Sequence, residues 1–272
     1  MMDSQYLIVG DVQGDWERLN EALAPYAPEV FPTIFLGDFF QGGKVGDMGG
    51  VRSARIARER PHSKVVLGNH EVFILGVLEL LQGIPLPSTF ADEPSMGARF
   101  REYLAEKDGF IRFWEFRRGD WADVRALQDD PDLEQWIRSC PIMIQLEDGT
   151  LVQHTDTDEY LKYGSTLAEV NAWARSCLEH EGGVFDLLPI ISKRHAFDDL
   201  VRTEKYLEAF QATRVVHGHT PCGNGNMPTV RWNGAALCYD GKFSRYWRRS
   251  DDEAEAGPIE ATVGLLPLLK TL

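Results

Sequence analysis

The sequence lacks a long hydrophobic segment. No run of about 18 apolar residues occurs in its 272 residues, so no membrane-spanning helix is expected. The opening residues MMDSQYLIVGD also lack a basic region before their short apolar segment. A secretion signal normally has such a region. We therefore expect a cytoplasmic protein without a membrane partner.

Positive charge is also scarce. Lys and Arg number 28 against 42 for Asp and Glu, which leaves a formal net charge of −14. A protein that binds the backbone of a nucleic acid needs a cationic surface, because each phosphate must be neutralised. We therefore do not expect a nucleic acid as the main partner.

Cysteine is rare and widely spaced. The four cysteines form no CxxC pair, and they are Cys140, Cys177, Cys222 and Cys238. This spacing excludes a zinc knuckle and a dense disulfide framework. We expect these side chains to be small buried hydrophobic groups.

Short β-rich segments recur along the chain and end in polar residues. The predicted strands are residues 7–9, 33–36, 64–67, 150–152 and 214–216. Helix-like stretches at 16–23, 51–60 and 167–180 lie between them, which is typical of an α/β fold. Ligand sites in such folds lie at the carboxyl ends of the strands. The sequence therefore predicts one site built from five strand ends.

Residues 72–138 differ from this pattern. Strand signals disappear there, and apolar residues recur at helical spacing from Phe73 to Leu81. We predict that 72–138 form a helical cap inserted into a single domain that spans residues 1–250.

The last part of the chain changes again. Segments 229–232, 235–239 and 243–247 are predicted as short strands of antiparallel hairpins, separated by Asn233-Gly234 and Asp240-Gly241 turns. We assign residues 251–272 to an acidic tail and an apolar C-terminal segment that docks on the domain.

Five motifs follow the predicted strands in order. They are GDVQG at 10–14, GD at 37–38, GNHE at 68–71, His154, and GHT at 218–220. Together they resemble the calcineurin-like metallophosphoesterases, most closely the bacterial Ser/Thr phosphoprotein phosphatases and the related diadenosine tetraphosphate hydrolases. The resemblance covers roughly residues 6–247. It implies a metallophosphoesterase-type β-sandwich of two mixed sheets flanked by helices (αββα).

The resemblance also implies a site for two divalent metal ions. Such a pair holds a bridging hydroxide and clamps both oxygens of an in-line displacement. The implied ligands are Asp11 and Gln13 on the first ion, Asp38 between the ions, and Asn69, His154 and His219 on the second. These donors favour Mn²⁺, and Fe, Zn or Co also fit.

Three of the motif residues are implied in catalysis. Asp38 bridges the metals, Asn69 also contacts a phosphate oxygen, and His70 stabilises and protonates the leaving group. Protonation is needed because a departing alkoxide is very basic. The Asp240-Gly241 pair resembles a late turn that lines the site in this family.

The sequence departs from the family pattern at two motifs. Gln13 stands in place of the usual His of the first motif. Gln41 and Gly42 stand where the family has an Asp that orients the proton-donating His and an Arg that clamps phosphate. Arg194 is our candidate for a substitute phosphate-binding cation, and Lys44 is the alternative.

Three functions remain open from the sequence. The first is hydrolysis of phosphomonoesters, with a phosphorylated small molecule, nucleotide or phosphoprotein as substrate. The second is hydrolysis of dinucleoside polyphosphates or phosphodiesters, which the two departures favour. The third, from another class, is a metal- or phosphate-binding module without turnover.

Overall fold

Two β-sheets form the centre of the fold in the computed structural model, which describes residues 5–81, 109–221, 227–246 and 256–267. The strands of these residues are β1 (Leu7–Val9), β2 (Thr33–Phe35), β3 (Ser63–Val65), β4 (Met143–Gln145), β5 (Thr150–Gln153), β6 (Arg214–His217), β7 (Thr229–Arg231), β8 (Ala236–Cys238) and β9 (Val263–Leu265). The first sheet has the order β3-β2-β1-β9 and the second β4-β5-β6-β8-β7.

Each sheet mixes parallel and antiparallel pairs. Strands β1, β2 and β3 are parallel, and β9 is antiparallel to β1. In the second sheet β5, β6 and β8 are parallel, with antiparallel β4 and β7 at the edges. Helices flank both sheets, so the predicted fold class is confirmed.

The helices alternate with the strands from β1 to α3 and come in groups after that. They are α1 (Trp16–Leu23), α2 (Gly49–Glu59), α3 (Asn69–Leu80), α4 (Gly109–Phe116), α5 (Trp121–Gln128), α6 (Pro131–Ser139), α7 (Leu167–Glu179), α8 (Val184–Ile191) and α9 (Leu200–Ala209). Short 3-10 turns lie at Glu159–Lys162, Ala196–Asp198, Trp232–Gly234 and Ile259–Ala261. Helix starts follow capping signals: Asp15 caps α1, and Thr166 with Glu169 forms a capping box at α7.

Alternation along the strands explains the two layers of the core. In β1, Ile8 belongs to a buried cluster between the two sheets, together with Val152 and Val216 of the second sheet. Its neighbours Leu7 and Val9 belong to the larger core under the helices. Successive side chains of a strand point to opposite faces. Both faces of β1 are therefore buried, which is why its sequence is continuously apolar.

The described part of the predicted cap is helical. Helix α3 contacts α4, α5 and α8. Trp114 of α4 is fully buried and meets the ring of Trp121 edge-on at 4.9 Å. Trp114 is therefore a core residue, and Trp121 is half-buried against the core. Residues 82–108 of the predicted cap lie outside the described residues, and the cap as an insertion stays a prediction.

The C-terminal part of the chain differs from the predicted hairpins in one place. Strands β7 and β8 form the predicted antiparallel pair. The third predicted strand, 243–247, is wrong, because residues 243–246 form no strand and position 247 lies outside the described residues. Side chains hold this segment instead: Arg245 donates to Asp15, and Ser244 Oγ donates to the carbonyl oxygen of Gly42 at 3.0 Å.

The apolar segment near the C-terminus docks on the first sheet. Its residues Val263–Leu265 form β9, which pairs with β1. Residues 251–255 of the acidic tail and 268–272 lie outside the described residues.

Two remaining predictions concern membranes and thiols. Within the described ranges, no helix has the length and apolar character needed to cross a membrane. Cys177 and Cys238 are buried and Cys140 is half-buried, and Cys222 lies outside the described residues. The cytoplasmic location stays a prediction.

Candidate metal centre

Three predicted metal ligands meet at the ends of the strands. Asp38 follows β2, His154 follows β5, and His219 lies just beyond β6. All three are buried, and one ligand atom from each lies within 4.8 Å of the other two. His154 Nε2 lies 3.1 Å from Asp38 Oδ1 and 3.2 Å from His219 Nδ1. Ligands bound at about 2 Å from one cation are spaced in this way, so the three side chains fit one metal ion.

Asn69 and Asp11 lie in the same buried cluster. Asn69 Oδ1 is 2.9 Å from His154 Nε2. Asp11 lies beside His219, whose backbone N–H donates to its two carboxylate oxygens at 3.0 and 3.2 Å. The structure therefore brings these two predicted ligands to the first three.

Gln13 contacts the cluster through its backbone. Gln13 and Asp38 both have left-handed backbone conformations, with φ of 49° and 55°. The N–H of Gln13 donates to the carbonyl oxygen of Asp38 at 2.8 Å, which joins the first two motifs. Such backbone conformations are uncommon outside glycine and concentrate at functional sites. The side chain of Gln13 as a metal ligand stays a prediction.

The two histidine rings direct lone pairs to one point. His154 Nδ1 lies 2.7 Å from the carbonyl oxygen of Leu36, and His219 Nε2 lies 3.3 Å from that of Ser192. A carbonyl oxygen only accepts, so these nitrogens carry the protons. His154 Nε2 then carries a lone pair, yet it faces three further acceptor atoms at 2.9 to 3.2 Å. A cation among them satisfies all four atoms, so the residues fit a divalent metal.

Buried carboxylates add to the negative charge at the site. Burial, followed by the charges of Asp240 and Asp38, raises the pKa of Asp11 well above its usual range. Burial also raises the pKa of Asp240 to about 6. Carboxylates in one poorly solvated place repel each other, and divalent cations remove that repulsion. Carboxylate, amide and imidazole donors suit hard to borderline ions.

His70 lies against the cluster in a fixed orientation. Its backbone N–H donates to Asp38 Oδ1 at 2.9 Å, and its ring Nδ1–H donates to the carbonyl oxygen of Phe40 at 2.9 Å. Its Nε2 lies 3.7 Å from Asp38 Oδ2. In the family pattern an Asp side chain at position 41 orients this histidine ring. Here the backbone carbonyl oxygen of Phe40, one residue earlier, accepts the ring N–H instead. Gln41 itself is buried, and both side-chain amide atoms lack a hydrogen-bond partner within the described ranges.

Glu71 is a supporting residue that the sequence reasoning left without a role. Its carboxylate accepts from the backbone N–H groups of Asp38, Phe39 and Gly68, at 2.8, 2.7 and 2.9 Å. Burial, with the charge of Asp38, raises its pKa to about 7. Glu71 therefore joins the end of β2 to the start of α3. Its position in the GNHE motif was the sequence signal that could have identified Glu71 as a residue of the site.

The glycine-rich loop after Asp38 is held by the chain between α4 and α5. Gly42 N–H donates to the carbonyl oxygen of Arg118 at 3.1 Å, and Gly46 N–H donates to Asp120 at 2.8 Å. Asp123 accepts from the N–H groups of Gly50 at 3.3 Å and Val51 at 2.9 Å. We call residues 42–51, which include the start of α2, the lip loop, and residues 117–123, which include the start of α5, the clamp turn.

Asp123 replaces a missing helix cap. Met48 precedes α2 with a left-handed φ of 53° and makes no capping hydrogen bond through its side chain. The first N–H groups of a helix need an acceptor. Asp123 supplies it from a distant part of the sequence, so residue periodicity could not have revealed this contact.

Two arginines act electrostatically on the site. Burial, followed by the charges of His154 and Arg194, lowers the pKa of His219 well below its usual range. Burial lowers the pKa of His70, Asp38 opposes this, and the charge of Arg117 adds to the lowering. Arg194 is exposed and Arg117 is half-buried. Arg194 was a sequence-predicted residue, whereas Arg117 of the clamp turn was not.

Comparisons with known proteins bear on the whole chain. Residues 5–223 match a family described as calcineurin-like phosphoesterase. The cold-active protein-tyrosine phosphatase of the psychrophile Shewanella sp. aligns over 97% of this chain and 80% of its own, with 17% identity and a TM-score of 0.57. A protein serine/threonine phosphatase from Saccharomyces cerevisiae, similar to human phosphatase PP5, aligns over 97% and 79%, with 10% identity and a TM-score of 0.54. No curated protein sequence matches the chain.

Proposed function

The chain belongs to the calcineurin-like phosphoesterase family, and we propose that it hydrolyses phosphomonoesters with a dinuclear centre of divalent metal ions, preferably Mn²⁺. The observation that carries this proposal is the convergence of three further polar atoms, from Asp38, Asn69 and His219, on His154 Nε2, an arrangement that a bound cation would satisfy. Family membership supports a phosphoesterase, and the site geometry supports its dependence on metal.

The ligand set divides between two ions in this proposal. Asp11 and Gln13 would hold the first, Asp38 both, and Asn69, His154 and His219 the second. Bound there, the ions supply a water nucleophile active at neutral pH and charge that neutralises phosphate oxygens. The protein contributes fixed positions, because Glu71 holds the backbone of Asp38 and carbonyl oxygens fix both histidine rings.

His70 is the proposed general acid. Its Nδ1–H is engaged with the carbonyl oxygen of Phe40, so a proton for the leaving group must come from Nε2. That atom lies on the side of Asp38, where the reacting phosphate would be. The backbone bond fixes the ring without a side-chain carboxylate, which explains how the site dispenses with an Asp at position 41. Asn69 would also contact a phosphate oxygen.

Substrate binding needs positive charge because a phosphomonoester is a dianion near neutral pH. We propose that Arg194 and Arg117 supply it, since the charge of Arg194 acts on His219 and that of Arg117 on His70. A guanidinium binds phosphate oxygens with two parallel hydrogen bonds. The net charge of −14 favours a small or localised phosphate over a long polyanion.

A second candidate is a hydrolase of dinucleoside polyphosphates or phosphodiesters. It is favoured by Gly42, which leaves the lip loop without an arginine at that position and so with less charge for a terminal phosphate. The substrates of both candidates share the in-line displacement at phosphorus, and the same ligand set serves both.

Metal-dependent turnover is the test of the proposed function. The protein would be stripped with a chelator, reloaded with Mn²⁺, and assayed on an aryl phosphate, a phosphopeptide and diadenosine tetraphosphate. We expect hydrolysis of the monoesters, and its loss in Asp38→Asn and His70→Ala. Asn tolerates the left-handed backbone at position 38, so the first variant should fold. His180→Ala, at an exposed histidine of the α7 terminus, is the matched control.

The outcomes separate the three functions. Preference for the dinucleotide over both monoesters would favour the second candidate. Binding of Mn²⁺ without turnover of any ester would contradict an enzyme and favour a metal-binding module.

A further inference from the structure

Asp240 is a buried acid whose role the proposed function does not explain. It follows β8 and is 2% exposed. Its Oδ1 accepts from the backbone N–H of Lys242 at 3.2 Å. Its Oδ2 is buried without a hydrogen-bond partner in the described parts of the chain. A buried carboxylate oxygen without a partner is strongly unfavourable, so a native structure that keeps one calls for an explanation.

The register of the second sheet places Asp240 next to a predicted ligand. Strands β6 and β8 are parallel, and His217 pairs with Cys238. The N–H of Tyr239 continues this pairing by donating to the carbonyl oxygen of His217 at 2.8 Å. His219 and Asp240 each come two residues after that pair. They therefore leave neighbouring strand ends at the same level.

The contacts of two glycines show that the strand ends meet at Asp11. A Cβ on Gly10, directly before Asp11, would lie 1.8 Å from the carbonyl oxygen of Tyr239. A Cβ on Gly218 would lie 2.3 Å from Asp11 Oδ1. Only glycine permits such close approaches. Asp11 is therefore enclosed between the end of β6 and the residue that precedes Asp240.

Burial and charge agree with this proximity. Asp11, Asp38 and Asp240 are all buried. Arg194, the sequence-predicted cation of the site, is exposed to solvent.

We propose that Asp240 is a metal ligand, which binds through Oδ2 the same cation as Asp11. The inference rests on the metal centre of the proposed function. Asp240 would give this ion a further charged oxygen. The other proposed ligand of the ion, Gln13, offers an amide side chain where the family pattern has an imidazole. A cation at this point supplies the missing partner of Oδ2 and offsets the repulsion between Asp240 and Asp11.

The test compares Asp240→Asn with wild type, using metal binding rather than turnover. Mn²⁺ affinity would be measured by isothermal titration calorimetry on the full chain, and bound metal by elemental analysis. We expect the affinity for one of two ions to fall at least about tenfold, while the other ion is retained. In chelator, the variant should unfold at the same or a higher temperature than wild type, because it lacks an unpaired buried charge.

Asp156→Asn is the matched control. Asp156 is also a buried acid after a strand end, but its oxygens accept from Thr220 Oγ1 at 2.6 Å and from the N–H of His195 at 2.7 Å. This variant should keep both ions and unfold at a lower temperature in chelator, because a satisfied acceptor is lost.

Two results would overturn the proposal. One is an Asp240→Asn variant that binds two Mn²⁺ ions within about twofold of the wild-type affinities. The other is a lowered unfolding temperature in chelator like that of Asp156→Asn, which would assign Asp240 a structural role. Wild-type protein that binds two ions but hydrolyses no ester would overturn the proposed function alone.

Discussion

The two sides of the site are built by different physical means. On the strand side, Asp11, Asp38, His154 and His219 project from strand ends that the sheets place together. On the lip side, the lip loop takes its shape from backbone N–H groups that donate to acceptors of the clamp turn. Side-chain chemistry therefore defines the first side, and long-range backbone contacts define the second. Substitutions should separate metal binding from substrate binding accordingly.

Removal of metal tests the strand side alone and should have the largest effect on turnover. We expect a chelator to reduce turnover by about 1,000-fold or more, since the nucleophile and charge neutralisation are lost together. It should also lower the unfolding temperature, because a ligand at 100 times its Kd stabilises by about 2.7 kcal/mol. Turnover assays and thermal unfolding with and without Mn²⁺ measure both effects. Unchanged turnover in chelator would remove the strand side from catalysis.

Glu71→Gln tests the joint between the end of β2 and the start of α3. Glu71 accepts three backbone N–H groups, and Gln offers one acceptor oxygen with an added N–H₂ group. We expect a loss of about 2 to 3 kcal/mol in the free energy of unfolding and about a 10- to 100-fold lower kcat, because Asp38 and Phe39 lose their fixed positions. Denaturant unfolding and steady-state kinetics measure the two losses. Glu169→Gln, at an exposed capping box, is the control.

Arg117→Ala tests whether the clamp turn contributes to substrate binding. We expect about a tenfold higher KM for a phosphomonoester, with Mn²⁺ affinity within about twofold of wild type, because the lost group binds phosphate and not metal. Arg112→Ala, on the exposed face of α4, is the control. A loss of metal affinity in Arg117→Ala would show that the two sides are not separable.

Asp123→Asn should affect turnover least, within about twofold, but change how stability depends on pH. Burial raises the pKa of Asp123 to about 7, against 3.8 for an ordinary Asp. Between these values the folded protein binds the proton and the unfolded chain does not. The stabilisation is therefore complete below about pH 4 and declines as pH rises to about 7, by roughly 1 kcal/mol per pH unit. Denaturant unfolding at several pH values should show a slope that is smaller by this amount in Asp123→Asn than in wild type, because Glu71 and Asp240 also titrate in this range and are present in both.

The difference between the strand side and the lip side also explains what the sequence could predict. Strand ends are visible as apolar segments followed by Asp, Asn or His, so an α/β fold with a site at its strand ends followed from order and spacing. The two-sheet sandwich and the roles of Asp11, Asp38 and Asn69 followed from the resemblance to a known family. The carbonyl oxygen of Phe40 could not be predicted, because every residue has one and only the folded backbone shows where it points. Asp123 was equally hidden, because its partners lie far away in sequence and bond through main-chain atoms.

The wrong strand at 243–247 has a related cause. A short segment rich in aromatic residues that follows a turn predicts a strand, but a strand also needs a neighbour with free hydrogen-bonding groups. Here Arg18 donates to the carbonyl oxygen of Phe243, and Arg245 binds Asp15 with two hydrogen bonds. Contacts with α1 thus take the place of a strand partner. The local β-propensity of residues 243–247 does not reflect such contacts, because they involve residues far away in the sequence.

The pairing of β1 with β9 has a consequence for how the chain is made. Strand β1 precedes the predicted ligand Asp11, and one of its edges is covered by β9, which comes much later in the sequence. During translation that edge therefore stays open until β9 has been synthesised. An open apolar edge is a template for pairing with other chains, and contacts between distant residues form slowly. Until β9 is made, β1 is therefore exposed to association with other chains.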